Sequence, residues 1–118
     1  MIGTGGILKD VLDAAEQMQS EGIDARVVEM HTIKPVDKEV IIKAVEETGK
    51  VITVEDHNIN GGLGSAVAEV IAEYGRCIQF RRLGLCSFSN GYGTYMQVKE
   101  QNGIGIRMIS DEIKRLVD

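Results

Sequence analysis

Cysteine is scarce, long apolar runs are missing and positive charge is scattered, and each shortage excludes a class of protein. Only two cysteines, Cys77 and Cys86, stand in 118 residues. With a predicted strand between them they form neither a redox CxxC nor half of a zinc ribbon. His31 and His57 would bring the count of soft ligands to four, but no two of these four have a short ligand spacing, so no metal site is expected. Both thiols read as buried, reduced and inert. No apolar run approaches the ~20 residues that span a bilayer, and the N-terminus lacks the charged-then-apolar order of a signal peptide, so the expected compartment is the cytoplasm. Thirteen basic against eighteen acidic residues leave a net charge of -5. Apart from the neighbours Arg81 and Arg82 the basic residues are dispersed, whereas a nucleic-acid footprint needs a clustered positive face. Neither an internal repeat nor a low-complexity segment is present.

What remains is an ordinary globular composition, 43% hydrophobic and 26% charged, in a chain of single-domain length that can bury roughly two-thirds of its unfolded surface. Residues 1–118 are therefore read as one domain. From Ile7, apolar residues recur at Leu8, Val11, Leu12, Ala15 and Met18, one face of a helix that Gly22 stops. Residues 25–30 read as a short strand. Asp37 is a natural N-cap for a second helix that turns Val40, Ile41, Ala44 and Val45 inward and ends at Gly49. Residues 50–55 form a β-prone run, the pattern of a strand covered on both faces and hence central. A third helix carries Leu63, Ala66, Val67, Val70, Ile71 and Tyr74 at core spacing, closed by Gly75. Ile78, Phe80 and Leu83 mark a fourth strand near an edge. Thr94 caps a short helix to about Gln101, and residues 106–117 form the last helix, with Ile106, Ile109, Ile113 and Leu116 facing the core. This alternation predicts a three-layer α/β/α domain with a mostly parallel sheet. Only Met1 and Ile2 precede the first glycine turn, so the domain is expected to be truncated at its N-terminus.

Two glycine clusters and two polar segments are the candidate sites. Gly3-Thr4-Gly5-Gly6 turns from a strand into a helix, where backbone amides of Gly5 and Gly6 can cradle phosphate, although the spelling is neither GxGxxG nor Walker A. Glu55, Asp56 and His57 run off the carboxyl end of the central strand, and Gly61, Gly62 and Gly64 open the next helix, at the end of the sheet where ligand crevices form. Glu55 and His57 are the best candidates for acid/base work; the alternative is that the carboxylates bond to loop amides and fix a subunit contact. No nucleophile motif or complete triad accompanies them. Ser87, Ser89, Asn90 and Tyr92 in residues 86–93 have the composition of a contact surface or anion site, or of a solvated loop. Arg81 is a candidate interface residue; adjacent strand residues point to opposite faces, so Arg81 and Arg82 cannot act as one clamp.

Three ordered motifs resemble a known family: IGTGG at residues 2–6, MHTIKPVD at 30–37 and VEDHNINGGLGSAVAEV at 54–70 look like the C-terminal domain of transketolases, over essentially the whole chain. Related domains close deoxyxylulose phosphate synthase and the beta subunits of 2-oxoacid dehydrogenases, which usually carry glycine where His57 stands. The resemblance implies a transferase of pentose phosphate metabolism that moves a two-carbon ketol unit between sugar phosphates with thiamine diphosphate and Mg2+. It also implies that the cofactor domains lie elsewhere, so that this domain alone binds no cofactor, catalyses nothing, partners those domains and supports a homodimer. The family has an antiparallel edge strand before the first glycine turn, which this sequence lacks. Residues 86–89 replace the family's acidic, glycine-rich loop, and Gly105 stands where a threonine or serine commonly caps the last helix. A free-standing nucleotide or sugar-phosphate binding module is the alternative of another class.

Overall fold

In the computed structural model, which describes residues 1–88 and 91–118, four strands and five α-helices alternate. Strand β1 (Ile2–Gly3) passes through one 3-10 turn (Gly5–Ile7) into α1 (Leu8–Ser20). Next come β2 (Val28–Glu29), α2 (Lys38–Thr48), β3 (Lys50–Asn58), α3 (Leu63–Tyr74), β4 (Gln79–Leu85), α4 (Tyr95–Gln101) and α5 (Ile106–Val117). The strands form one sheet in the order β2-β1-β3-β4, every pair parallel, with Ile2 opposite both Val28 and Thr53. The expected parallel α/β architecture is what the chain adopts.

Each face of the sheet has its own apolar layer, as the strand alternation requires. Ile52 and Val54 face Ile7, Val11, Ala14 and Met18 of the first helical segment and Ile109, Ile113 and Leu116 of α5. Val51 and Ile2 face Ile41 and Val45 of α2 and Leu63, Val67 and Val70 of α3. Asp37 caps α2 by accepting from the Val40 amide at 3.1 Å. Thr94 and Gln97 form a capping box at α4. Both caps lie where local chemistry places them, because a side-chain acceptor satisfies an amide that the first turn leaves unpaired.

Several expectations need correction. Leu12 is 46% exposed, not core-facing. The entry turn rotates α1 so that its buried stripe is Ile7, Val11, Ala14 and Met18, leaving Leu12 to one side. Tyr74, in the last turn of α3, is exposed and donates its hydroxyl to Glu46 of α2 rather than entering the core. The strand expected over residues 25–30 shrinks to Val28–Glu29. β3, expected to stop at residue 55, continues to Asn58. Cys77 and Cys86 are both exposed. They flank β4, an edge strand whose ends leave the core, so burial does not reach them.

The most consequential local feature is an irregularity in β3. Its register against β4 runs regularly from Lys50 opposite Gln79 to Val54 opposite Leu83, then shifts so that Asn58 lies opposite Leu85. A bulge of this kind re-aims side chains near functional ends of strands. Here it spans Glu55, Asp56 and His57.

Candidate functional site

Alternation along β3 sends Glu55 and Asp56 to opposite faces of the sheet. Glu55, 1% exposed, turns toward α3. Its Oε2 accepts from the Leu63 amide at 2.8 Å and its Oε1 from the Gly64 amide at 2.9 Å. These are orphan donors of the first turn of α3, whose N-cap residue, Gly62, has no side chain to satisfy them. The remaining connection is held as tightly. Gly61 N–H donates to Ser65 Oγ at 2.9 Å, and Ser65 Oγ and Arg82 Nη1 both donate to the Ile59 carbonyl, at 3.1 and 3.0 Å.

The glycines of this segment make room for the carboxylate. A Cβ on Gly62 would stand 2.0 Å from Glu55 Oε2, and one on Gly84 of β4 would stand 3.0 Å from Glu55 Cγ and 2.9 Å from the His57 carbonyl. At Gly64 a Cβ would meet Arg82 Cδ at 2.8 Å and Thr53 Oγ1 at 2.9 Å. The glycine-rich spelling thus has a packing cause inside the chain.

On the other face, Asp56 reaches α4. Tyr95 Oη donates to Asp56 Oδ2 at 2.8 Å. Asp56 Oδ1 lies 2.9 Å from His57 Nδ1, an ion pair when the imidazole is protonated. His57 is 70% exposed at its side chain while Asp56 is 17% exposed, so Asp56 is the buried anchor and His57 the outward group. Burial first, then the hydrogen bond to Asp56 and the charges of Asp56 and Asp10, push the Tyr95 phenol well above its ordinary value. Behind Tyr95, the Lys99 ammonium lies 5.1 Å from its ring centroid and forms a buried ion pair with Asp10 of α1. Such a pair costs desolvation that its mutual attraction must offset.

This geometry separates the candidate residues. Glu55, Gly61, Gly62 and Gly64 converge on the head of α3. His57 and Gly6 converge on the Asp56–Tyr95 contact, since a Cβ on Gly6 would lie 3.2 Å from Tyr95 Oη and 3.4 Å from Asp56 Oδ2. Gly5 has a φ of 69° and open space around its Cβ position. Arg81 belongs to neither group: its Nε pairs with Glu112 of α5 at 3.2 Å, while Arg82 turns to α3. Tyr92 is fully exposed, Ser87 is exposed, and Ser89 and Asn90 lie outside the described residues. Tyr95, Lys99 and Asp10 were not singled out by the sequence. The local hint was the i,i+4 spacing of Tyr95 and Lys99; nothing in the chain order ties either to Asp10 or Asp56.

Comparison with known proteins decides the family. The sequence profile described as transketolase, C-terminal domain, matches residues 1–106. This chain belongs to the transketolase C-terminal domain family. It is 38% identical over 114 residues to one of the subunits of the apulose-4-phosphate transketolase of Actinobacillus succinogenes, covering 94% of this chain and 36% of that protein. It is 33% identical over 118 residues to 1-deoxy-D-xylulose-5-phosphate synthase of Heliobacterium modesticaldum, covering all of this chain and 18% of that one. A solved split gene transketolase, an inactive beta4 tetramer, superposes with a TM-score of 0.90 at 34% identity, over 98% of this chain and 38% of its own. The chain therefore spans roughly 18% to 38% of the length of these relatives.

Relatives of this family imply thiamine diphosphate in their parent enzymes. At the head of α3 and at Gly6 the residues present do not fit a diphosphate. The Leu63 and Gly64 amides at the head of α3 are taken by Glu55 and the Gly61 amide by Ser65, and the Asp56 carboxylate stands beside Gly6.

Proposed function

We propose that this chain is the C-terminal section of a thiamine diphosphate-dependent transketolase-type transferase. Its parent moves a two-carbon ketol unit between sugar phosphates in cytoplasmic pentose phosphate metabolism, and this section supports a dimer and has no catalytic activity alone. The observation that carries the reading is the commitment of Glu55, the strongest acidic candidate, to two backbone amides of its own domain. A domain whose best-placed carboxylate holds its own helix, in a family whose members include a transketolase subunit, is suited to assembly. The cofactor supplies the difficult carbanion chemistry and is held by other domains. His57 and Arg81 are proposed as contacts to those domains. The 33% identity to a deoxyxylulose phosphate synthase over all 118 residues favours a second parent of the same family; the reading frame upstream of Met1 distinguishes the two.

Two measurements test the reading. Mixed with the cofactor-binding section of its parent, the chain should be required for ketol transfer from a ketose phosphate to an aldose phosphate. Alone it should show no calorimetric binding of thiamine diphosphate with Mg2+, and tight Mg2+-dependent binding would overturn the proposal.

A further inference from the structure

In open α/β sheets the head of the helix that follows a central strand is the usual seat of a ligand oxyanion, because unpaired amides and the helix dipole converge there. We propose that in this domain the seat is filled from within. Glu55 is a permanent internal anion that closes the head of α3 to phosphate and sets the conformation of the β3–α3 connection. The inference concerns the domain itself and does not depend on which reaction its parent catalyses.

Three independent features carry it. The carboxylate uses both oxygens, each on a different amide, Leu63 at 2.8 Å and Gly64 at 2.9 Å, the bidentate arrangement a bound oxyanion would adopt. It is 1% exposed, so it is withdrawn from solvent and from external anions dissolved there. The space around it exists only because Gly62 and Gly84 lack side chains, with prospective Cβ contacts of 2.0 Å to Oε2 and 3.0 Å to Cγ. Next to them, Gly61 N–H donates to Ser65 Oγ at 2.9 Å. Glu55 is thus a positioning residue that fixes the start of α3 and the connection leading into it.

Chemical rescue tests this. Glu55→Ala removes the equivalent of one acetate ion and leaves two amides facing a cavity of that shape. Acetate should raise the melting temperature of Glu55→Ala in proportion to the logarithm of its concentration, as a ligand that binds the native state alone must, and should shift the Leu63 and Gly64 amide resonances saturably. Sodium chloride at equal ionic strength should do neither. In the wild-type chain, inorganic phosphate and acetate should leave the Gly61, Leu63 and Gly64 amides unmoved. Acetate no better than chloride, or saturable phosphate shifts at those wild-type amides, would overturn the proposal. If Glu55→Ala does not fold, Glu55→Gln decides: its amide can accept at one position but presents a second donor at the other, so hydrogen exchange at Leu63 or Gly64 should accelerate. Wild-type stability and protection in Glu55→Gln would overturn the proposal equally.

Discussion

Tyr95 Oη donates to Asp56 Oδ2 at 2.8 Å and so joins the first turn of α4 to the carboxyl end of β3. This contact anchors a helix of only seven residues that would be marginal by itself. Tyr95→Phe keeps the ring over Lys99 and removes only the hydroxyl. Because Tyr95 is 49% exposed, the loss should fall near the lower end for a hydrogen bond to a charged acceptor, about 1.5 kcal/mol. Urea denaturation should show a lower midpoint with an unchanged slope, and amide exchange should rise first in α4.

The same contact gives a pH signature. Burial and the Asp56 carboxylate raise the Tyr95 phenol above its ordinary value of 10.0. The folded chain then holds a proton that the unfolded chain releases, so the stabilisation is complete below the unfolded value and is lost as pH rises past it. Stability should fall more steeply above pH 10.0 in the wild type than in Tyr95→Phe. Tyr74 is also raised by its bond to Glu46, so the comparison with the variant, not the wild-type curve alone, isolates Tyr95. Phenolate absorbance of the folded chain should show the late-ionising group vanish in Tyr95→Phe.

The Lys99–Asp10 ion pair is almost fully buried, with side chains 4% and 7% exposed. Removing one partner leaves a charge without compensation, so Lys99→Met should cost about 3–5 kcal/mol. The double variant Asp10→Leu, Lys99→Met should recover most of that loss. A double-mutant cycle measured by denaturation gives the coupling directly, and equal losses in single and double variants would show that packing, not charge, holds α1 to α4.

What could be read in advance and what could not follow from range. Asp37 and Thr94 act on amides within three residues, so their caps are written in the local sequence. The stripe of α5 and the stops at Gly49 and Gly75 are likewise local. Leu12 was misplaced because periodicity fixes a helix's apolar arc but not which edge of that arc the sheet covers, and the turn at Gly5–Ile7 decides that. Asp10 looks like surface until Lys99 arrives from the far end of the chain. For Glu55 the sequence leaves acid/base work and bonds to loop amides both open; the partners that decide for the amides, Leu63 and Gly64, reach it only once β3 and α3 pack together.

Gly62 tests the close approach at Glu55. Gly62→Ala places a methyl 2.0 Å from Oε2, and backbone on one side and β4 on the other leave the carboxylate little freedom. The cost should be about 1–3 kcal/mol or more, as for overpacked sites. Combined with Glu55→Ala the penalty should largely disappear, because the clash partner is gone; thermal melts of the two singles and the double would reveal this non-additivity. Additive losses would mean that the Asn58 carbonyl, 3.2 Å from the same Cβ position, and not Glu55, sets the limit.

Phe88 and Tyr92 are 95% and 100% exposed, and side chains so exposed contribute little to the stability of an isolated domain. The double variant Phe88→Ser, Tyr92→Ser should therefore leave the melting behaviour of this chain within about 0.5 kcal/mol of wild type. Aromatic side chains become dominant anchors when a partner buries them, with truncations that cost about 2 kcal/mol or more. If this section assembles with the cofactor domains of a transketolase through the segment after β4, the same variant should weaken that association at least tenfold in a sedimentation or pull-down titration. Unchanged affinity would assign the assembly surface elsewhere, first to the exposed His57 at the carboxyl end of β3, next to the connection that Glu55 holds.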